Sequence, residues 1–370
     1  MRNFSFKAVS RVAVLLGLGL VGGSVFADSA VKTSFSGFGT LVGTVTDNND
    51  VQVISTPYQL KGADKTLDFG PDSRLGLQGR IEFGNDMSVT GQLIAQRRVS
   101  KDFDPEVEWL FGQWSGISGL DLRMGRVVLP AFMISDSRFV SYSSHGVRVP
   151  TLVYAMFPGS SVDGVQALYR QRIGPANWSF IATFGNASVD TTESNDVANI
   201  GVTAELGDWA FRYGYVQSKA TLNISQLGAV VSFNEKFHNL GVQYDNGTVF
   251  GGAEYVLRKT EPKYLDSAGW YVTGGARFGK WTPYATVSRT TVANGNLPAF
   301  IVPVINYPYV LLTPANNAKG VAAGVRYDVA TNIALKAEYG RYKGASPFIF
   351  TPSGVDAKVN TISFGLDFVF

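Results

Sequence analysis

Residues 73–99 read SRLGLQGRIEFGNDMSVTGQLIAQRRV. Leu75, Leu77, Ile81 and Phe83 fall on one parity, and Arg74, Gln78, Arg80 and Glu82 on the other. A side-chain period of two marks a β-strand with one apolar and one polar face. Gly84-Asn85-Asp86 then supplies a tight turn, because these residue types accept the backbone angles of a short hairpin. From Met87 the alternation resumes, with Val89, Leu93 and Ala95 set against Ser88, Thr90, Gln92, Gln96 and Arg98. Such a hairpin suits a half-buried antiparallel sheet. It equally suits a membrane barrel whose apolar face meets lipid and whose polar face lines a wet lumen.

The same pattern recurs on both sides of this hairpin. Ser34–Thr46 precedes it as the first segment. The fourth is Pro105–Ser115, with Val107, Trp109 and Phe111 expected outward and Glu106 and Glu108 inward. Leu120–Arg126 is the fifth. Val162–Arg172, Asn177–Asn186, Asp196–Leu206, Trp209–Ser218, Lys236–Tyr244 and Thr248–Arg258 follow. Gly269–Phe278, Trp281–Thr290, Gly320–Tyr327, Ile333–Tyr342 and Asn360–Phe370 bring the count to sixteen. Gln226–Phe233 could also be strand, which leaves the start of the tenth segment open.

The connections alternate between short and long. Gly84-Asn85-Asp86 and Gly207-Asp208 are short, whereas Asp47–Asp72, Val127–Ser160 and Thr291–Lys319 are long. Short turns on one rim and long loops on the other are the pattern of an outer-membrane barrel. An even strand count places both termini on the short-turn, periplasmic side. It also lets the first strand close against the last, leaving no open edge in lipid. Leu297–Pro314 is the most apolar alternative for a membrane helix, but Pro298, Pro303, Pro308 and Pro314 break it.

Between the fifth and sixth segments lies VVLPAFMISDSRFVSYSSHGVRVPTLVYAMFPGS, residues 127–160. It does not alternate, and it is too rich in aromatic and aliphatic residues for a solvated linker. It is read as a loop folded inward, inside a wall made by the other segments.

Composition narrows the chemistry. The chain has 370 residues, no Cys and two His, so a disulfide framework and a thiolate metal site are excluded. Residues 1–27 read as a secretory signal peptide, with Arg2, Lys7 and Arg11 before the uncharged apolar run Val12–Val21 and a small-x-small site at Val25-Phe26-Ala27. Removing those three cations from 32 leaves 29 basic against 29 acidic residues in 28–370. The mature chain is thus formally neutral, and no nucleic-acid partner is expected. Ser143-Ser144-His145 is the one Ser/His proximity. No flanking motif supports it as a nucleophile and base, so an enzyme is not expected, and neither a metal nor a cofactor is called for.

The last segment adds a specific signal. Ile362, Phe364, Leu366, Phe368 and Phe370 share one parity, and the chain stops on Phe370. This ending resembles the C-terminal aromatic strand of bacterial outer-membrane proteins. Together with Asp72–Gly79, Leu122–Arg126, the signal segment and the position of the longest loop, it makes the chain similar to the general bacterial porins. That resemblance covers the whole mature chain. It implies an all-β, 16-stranded antiparallel transmembrane barrel, with the loop narrowing the pore halfway along. It implies a homotrimer in contact with outer-membrane lipid and lipopolysaccharide, passing small hydrophilic solutes and ions by passive diffusion. The family's Pro-Glu-Phe-Gly-Gly turn is replaced here by Pro130-Ala131-Phe132, and Asp136 is the loop's one acid. The usual field of loop acids facing wall bases is therefore in doubt.

Pores select by bore and by lining charge. The candidate lining is Arg74, Arg80, Glu82, Arg98, Glu106, Glu108, Asp121, Arg123, Arg126 and Arg170 on the wall, with Asp136, Arg138 and Arg148 on the loop. Basic residues prevail, which leans toward anions. The competing reading pairs these arginines with Glu82, Glu106, Glu108 and Asp121, so that they only stiffen the wall. Trp109, Trp178, Trp209, Tyr215, Trp270, Trp281 and Tyr339 suit interfacial girdles. His238 shares the parity of Leu240, Val242 and Tyr244 and is expected on the surface. A substrate-selective or plugged barrel, acting as a specific channel or adhesin, is the alternative.

Overall fold

The computed structural model describes residues 31–370 except 57–58, 60, 99–101, 158, 190–191, 225–228, 264, 293–315, 345–349 and 352–355. The signal segment and most of the Thr291–Lys319 loop lie outside the described residues.

Each alternating segment is a strand. In chain order they are β1 Val31–Thr46, β2 Arg74–Phe83, β3 Met87–Gln96, β4 Glu106–Ile117, β5 Leu120–Val128, β6 Ser161–Ile173, β7 Ala176–Val189 and β8 Thr192–Leu206. Then come β9 Trp209–Ile224, β10 Ala229–Asp245, β11 Val249–Glu261, β12 Ser267–Ala276, β13 Trp281–Val292, β14 Asn316–Ala330, β15 Ile333–Gly344 and β16 Ala357–Val369. Each pairs antiparallel with its neighbours in sequence, and β1 pairs with β16, so the sheet is a closed barrel of sixteen strands. Among the described residues no helix is long and apolar enough to cross a membrane. The strands do so, with every ladder group satisfied by a neighbour.

The apolar parity faces out. Leu41, Leu75, Met124, Phe184, Leu240, Val272 and Phe364 are exposed on the outer wall. The large side chains that are fully buried lie instead on loops or on the inner wall: Phe132, Leu129, Leu152 and Met156 on the long loop, Ile54 on the loop after β1, Ile94 on β3 and Phe237 on β10. The barrel is thus apolar outside, and its packed core is small and sits within the lumen.

The start of the tenth strand, left open by the sequence, falls at Ala229, inside the Gln226–Phe233 stretch. Here Ser232, Asn234 and Lys236 face outward and Val231 and Phe233 are buried inward, and Thr221 bonds Ser232 at 3.1 Å. The differences from the sequence reading are local. β7 extends to Val189 and β8 starts at Thr192, so their connection is shorter than expected. In β4 the pairing with β3 shifts register between Gln92 and Leu93. Such a bulge inserts one residue and inverts the parity beyond it. Trp109, opposite Gln92, and Phe111, opposite Thr90, therefore face the lumen, and Trp109 is not a girdle residue.

The closing seam depends on two small residues. Gly39 pairs with Phe368, and the terminal Phe370 exchanges backbone bonds with Gly37 at 2.8 and 2.9 Å. A Cβ on Gly39 would stand 2.2 Å from the Phe368 ring, and one on Gly37 would stand 2.4 Å from Phe370. The aromatic side chains of the last strand lie across these bare backbones. Gly39→Val is expected to displace Phe368 and weaken the seam by roughly 1–3 kcal/mol. Heat-modifiable mobility on a denaturing gel checks this: the variant barrel should unfold at a lower temperature than the parent, and an unchanged transition would contradict the packing described.

Candidate functional site

The non-repeating stretch after β5 turns into the barrel, as its composition suggests. Leu129 N–H still donates to the Ser160 carbonyl at 2.8 Å, which holds the two ends of the loop together. Beyond that point the chain descends along the inner face of β9–β16. Tyr142 reaches the Thr331 carbonyl in the short turn between β14 and β15. The loop therefore runs to the periplasmic rim rather than only halfway, the depth the resemblance implies.

Its inner side forms the lumenal core. The short helix α1, Thr151–Tyr154, is buried throughout and packs on β12 and β13. Phe132 stacks on Tyr154 at 4.3 Å and meets Phe237 edge-on at 5.3 Å. Phe157 lies 5.0 Å from Phe237 on its other side. These side chains explain the apolar content of the stretch.

Polar wall residues fix the loop backbone, which has no strand partner of its own and needs donors and acceptors once buried. Glu254 on β11 is 2 % exposed. It accepts from the Tyr154 hydroxyl at 2.5 Å, the Tyr271 hydroxyl at 2.6 Å, Asn239 Nδ2 at 2.6 Å and Met133 N–H at 2.9 Å. Arg212 donates to the Pro130 carbonyl at 2.5 Å. Arg258 donates to the Met156 carbonyl at 3.2 Å while Glu235 holds its guanidinium at 2.7 Å. Lys336 donates to the Ser141 and Gly146 carbonyls at 2.7 and 2.8 Å, with Asp367 at 2.8 Å as its counter-ion. Arg326 bonds the carbonyls of Tyr142 and Ser144. The cations thus serve loop carbonyls while carboxylates balance them.

Arg148 anchors the loop to the β1–β16 seam. It pairs with Asp72 at 2.9 Å and donates to Thr44 Oγ1 and Ser363 Oγ at 3.1 and 2.7 Å. Burial opposes its charge, but Asp72 and Glu338 more than offset that and raise its pKa above the ordinary value. It is a structural clamp rather than a lining charge.

The other candidates divide into three groups. Arg80–Glu82 at 3.0 Å, Arg98–Glu106 at 3.1 Å and Arg170–Asp121 at 2.7 Å are wall pairs, with Glu108 4.0 Å from Arg98. Arg74 and Arg123 have no carboxylate in ion-pair range among the described residues. Arg123 instead donates to Gln113 and Gln166 at 2.8 and 3.1 Å and lies 5.1 Å above the Phe111 ring. Arg74 and Arg138 lie over opposite approaches to Phe139, at 5.7 and 4.8 Å, and Asp136 is exposed nearby on the loop. Arg126 does not line the lumen. Its parity is that of Leu122 and Met124, and it binds Asp163 at 2.7 Å on the outer wall. The sequence reading counted it among the lining residues, but its interval of three residues from the inward Arg123 crosses the sheet.

The loop anchors Glu254, Arg258, Glu235 and Tyr271 were not among the candidates. Their signal was the clustering of charge on the inward parity of β9–β16, facing a loop with no backbone partner. The Ser143 hydroxyl donates to the Val140 carbonyl at 2.7 Å. His145 stacks on Phe250 at 3.6 Å and meets Arg277 at 3.1 Å. His238 faces outward beside Tyr213 at 3.0 Å, as its parity indicates.

This architecture, a closed lipid-facing barrel with an anchored lumenal loop, defines an outer-membrane channel. The family model described as Gram-negative porin matches residues 12–346. The chain belongs to that family. The fold is shared with OmpF of Salmonella typhi, solved with daunomycin, at 14 % identity and TM-score 0.61 over 93 % of this chain and 99 % of that one. It is likewise similar to the anion-selective porin of Comamonas acidovorans, at 15 % identity and TM-score 0.60 over 92 % and 100 %. OmpT of Vibrio cholerae matches at 16 % identity and TM-score 0.58 over 94 % and 100 %. No curated protein matches the chain in sequence.

Acid should loosen the loop tip. Burial first, then repulsion by Arg277 and Arg326, lower the His145 pKa from 6.5 to about 4. A released loop takes up that proton below about pH 6.5, whereas the packed loop refuses it until about pH 4, so anchoring weakens as pH falls through this window. Channel recordings from about pH 7 to pH 4 are expected to show growing closures. His145→Phe, which keeps a ring on Phe250, should lose that dependence. An identical acid response in the two proteins would remove His145 from the gate.

Proposed function

We propose that the protein is a homotrimeric outer-membrane porin, exported by residues 1–27, through which small hydrophilic solutes and ions diffuse down their gradients. The observation that carries this is the one-sided attachment of the loop. Its packed face lies on β9–β16, whereas Arg80, Glu82, Asp121 and Arg170 remain part-exposed on the inner wall of β2–β6. Water and solute pass between that wall and the loop residues Asp136, Arg138 and Phe139. Transport of this kind needs no cofactor and no catalytic group, and the protein acts as a channel rather than an enzyme. The outer wall meets membrane lipid and lipopolysaccharide.

Ion preference follows from which charges stay unbalanced. Three wall arginines are balanced by carboxylates, and Arg148 is used in packing. Arg74 and Arg123 then outweigh Asp136 at the narrow zone, which favours anions modestly because paired charges in a wet lumen contribute little net field. The reversal potential in a salt gradient tests this. The parent is expected to lie on the anion side, and Arg123→Ala to move toward cations. An unchanged potential would take Arg123 out of the constriction.

A further inference from the structure

Behind the lumenal loop, the inner wall of β12–β15 carries a row of small residues. Thr273, Thr286, Ala322 and Gly340 lie opposite one another across the four strands. The next inward row toward the long-loop rim holds Tyr271 and Tyr342, and the next toward the short turns holds Tyr284 and Glu338. Inward rows are two residues apart, about 7 Å along a strand, so the two rows of large side chains stand roughly 14 Å apart. The small row leaves a hollow between them, and loop residues from Ser143 to Thr151 cover it. The chamber so formed measures about 290 Å³. Small-molecule sites run from about 300 Å³ upward, so this one suits a ligand of few atoms.

The chamber's charge is not balanced from within. Glu338 lines it and is only 6 % exposed. The Tyr284 hydroxyl accepts from Val147 N–H at 3.3 Å and gives its own proton to Glu338 Oε2 at 2.7 Å. Oε1 has no hydrogen-bond donor among the described residues. The neighbouring cations are already taken: Arg148 by Asp72 at 2.9 Å, Lys336 by Asp367 at 2.8 Å and Arg326 by Asp328 at 2.8 Å. Asp245, the other carboxylate of the lining, has Arg277 at 2.7 Å. Of these charges, Glu338 is the one left over. A buried carboxylate with a bare oxygen is costly unless a cation meets it.

We propose that the chamber binds a small primary amine as its ammonium ion, on Glu338 Oε1, with its carbon end toward the Tyr271 and Tyr342 rings. An ammonium supplies both the donor and the charge that Oε1 lacks. The aromatic rings favour a cation further. Between the two ends, the Thr273 and Thr286 hydroxyls, 2.8 Å from each other, can meet a hydroxyl on the ligand. The site lies on the packed side of the loop, so it is a function beyond passive diffusion through the open side.

Saturation-transfer difference NMR on the detergent-purified protein tests it, with ethanolammonium as probe and ethylene glycol as the uncharged counterpart. The parent is expected to give a signal for ethanolammonium and none for ethylene glycol. Glu338→Gln keeps an acceptor for Tyr284 but removes the charge, and should weaken binding by about tenfold or more. Ala322→Leu fills the small row and should abolish the signal with Glu338 still in place. Asp208→Asn, an exposed carboxylate in the turn after β8, should bind as the parent does. Heat-modifiable mobility equal to the parent's shows that lost binding is not a lost barrel, and either chamber variant that meets this condition decides the matter. An unchanged signal in such a variant would overturn the proposal, as would equal loss in Asp208→Asn or an equal signal from ethylene glycol. Displacement of the probe by equimolar potassium would also overturn it, by making the chamber an inorganic-cation site. A parent that is silent in a bilayer would count against the porin reading and leave this binding test as it stands.

Discussion

The structure depends on the demand that no backbone N–H or C=O be left unpaired in hydrocarbon. An open sheet fails at its edges, so β1 must meet β16. The seam is where the demand is hardest to satisfy, because these strands are the farthest apart in sequence. Thr40 Oγ1 donates to Asp367 at 2.7 Å, Thr44 and Ser363 share a bond of 2.9 Å, and Gly37 and Phe370 exchange backbone bonds at the end of the chain. The glycines of β1 give the rings of β16 somewhere to lie. With the seam closed, the period of two sorts every strand into a lipid face and a lumen face.

The same demand recurs on a smaller scale inside. The lumenal loop carries backbone that no strand can pair, and it is packed closely enough to exclude much of the water that would serve instead. Arg212, Arg258, Arg326 and Lys336 answer its carbonyls, and Glu254 answers one of its N–H groups. These buried charges are themselves balanced, by Glu235 and Asp367 in two cases. Removing one member of a buried charged network costs about 3–5 kcal/mol, because it strands the others. The arrangement therefore holds a loop of more than thirty residues on one wall, with water free to occupy the other side.

Much of this was legible in the sequence. Parity alone places Leu75, Arg80 and Phe364 on their faces, and the tight turns give the strand count. The inward loop is legible because a linker would not carry Phe132, Tyr154 and Phe157. What escaped has local causes. Trp109 and Phe111 lie beyond a bulge that leaves no composition signal, since one extra residue inverts parity silently. Arg126 stands three residues from the inward Arg123, and that odd interval puts it on the other face. The loop anchors stayed hidden because Glu254, Arg258 and Tyr271 look like ordinary lumen residues until the loop's route is known. The start of β8 read as loop, since Thr192, Glu193, Ser194 and Asn195 show no apolar alternation.

The central claim is that an anchored loop narrows, without sealing, a water-filled trimeric barrel. Planar-bilayer conductance of the purified protein beside Glu254→Ala tests it most directly. The account expects the parent to open in groups of three equal steps, and the variant, its loop released from β11, to give steps of altered and noisier conductance. A folded parent barrel that leaves the bilayer silent would contradict the account, because the loop would then be a plug.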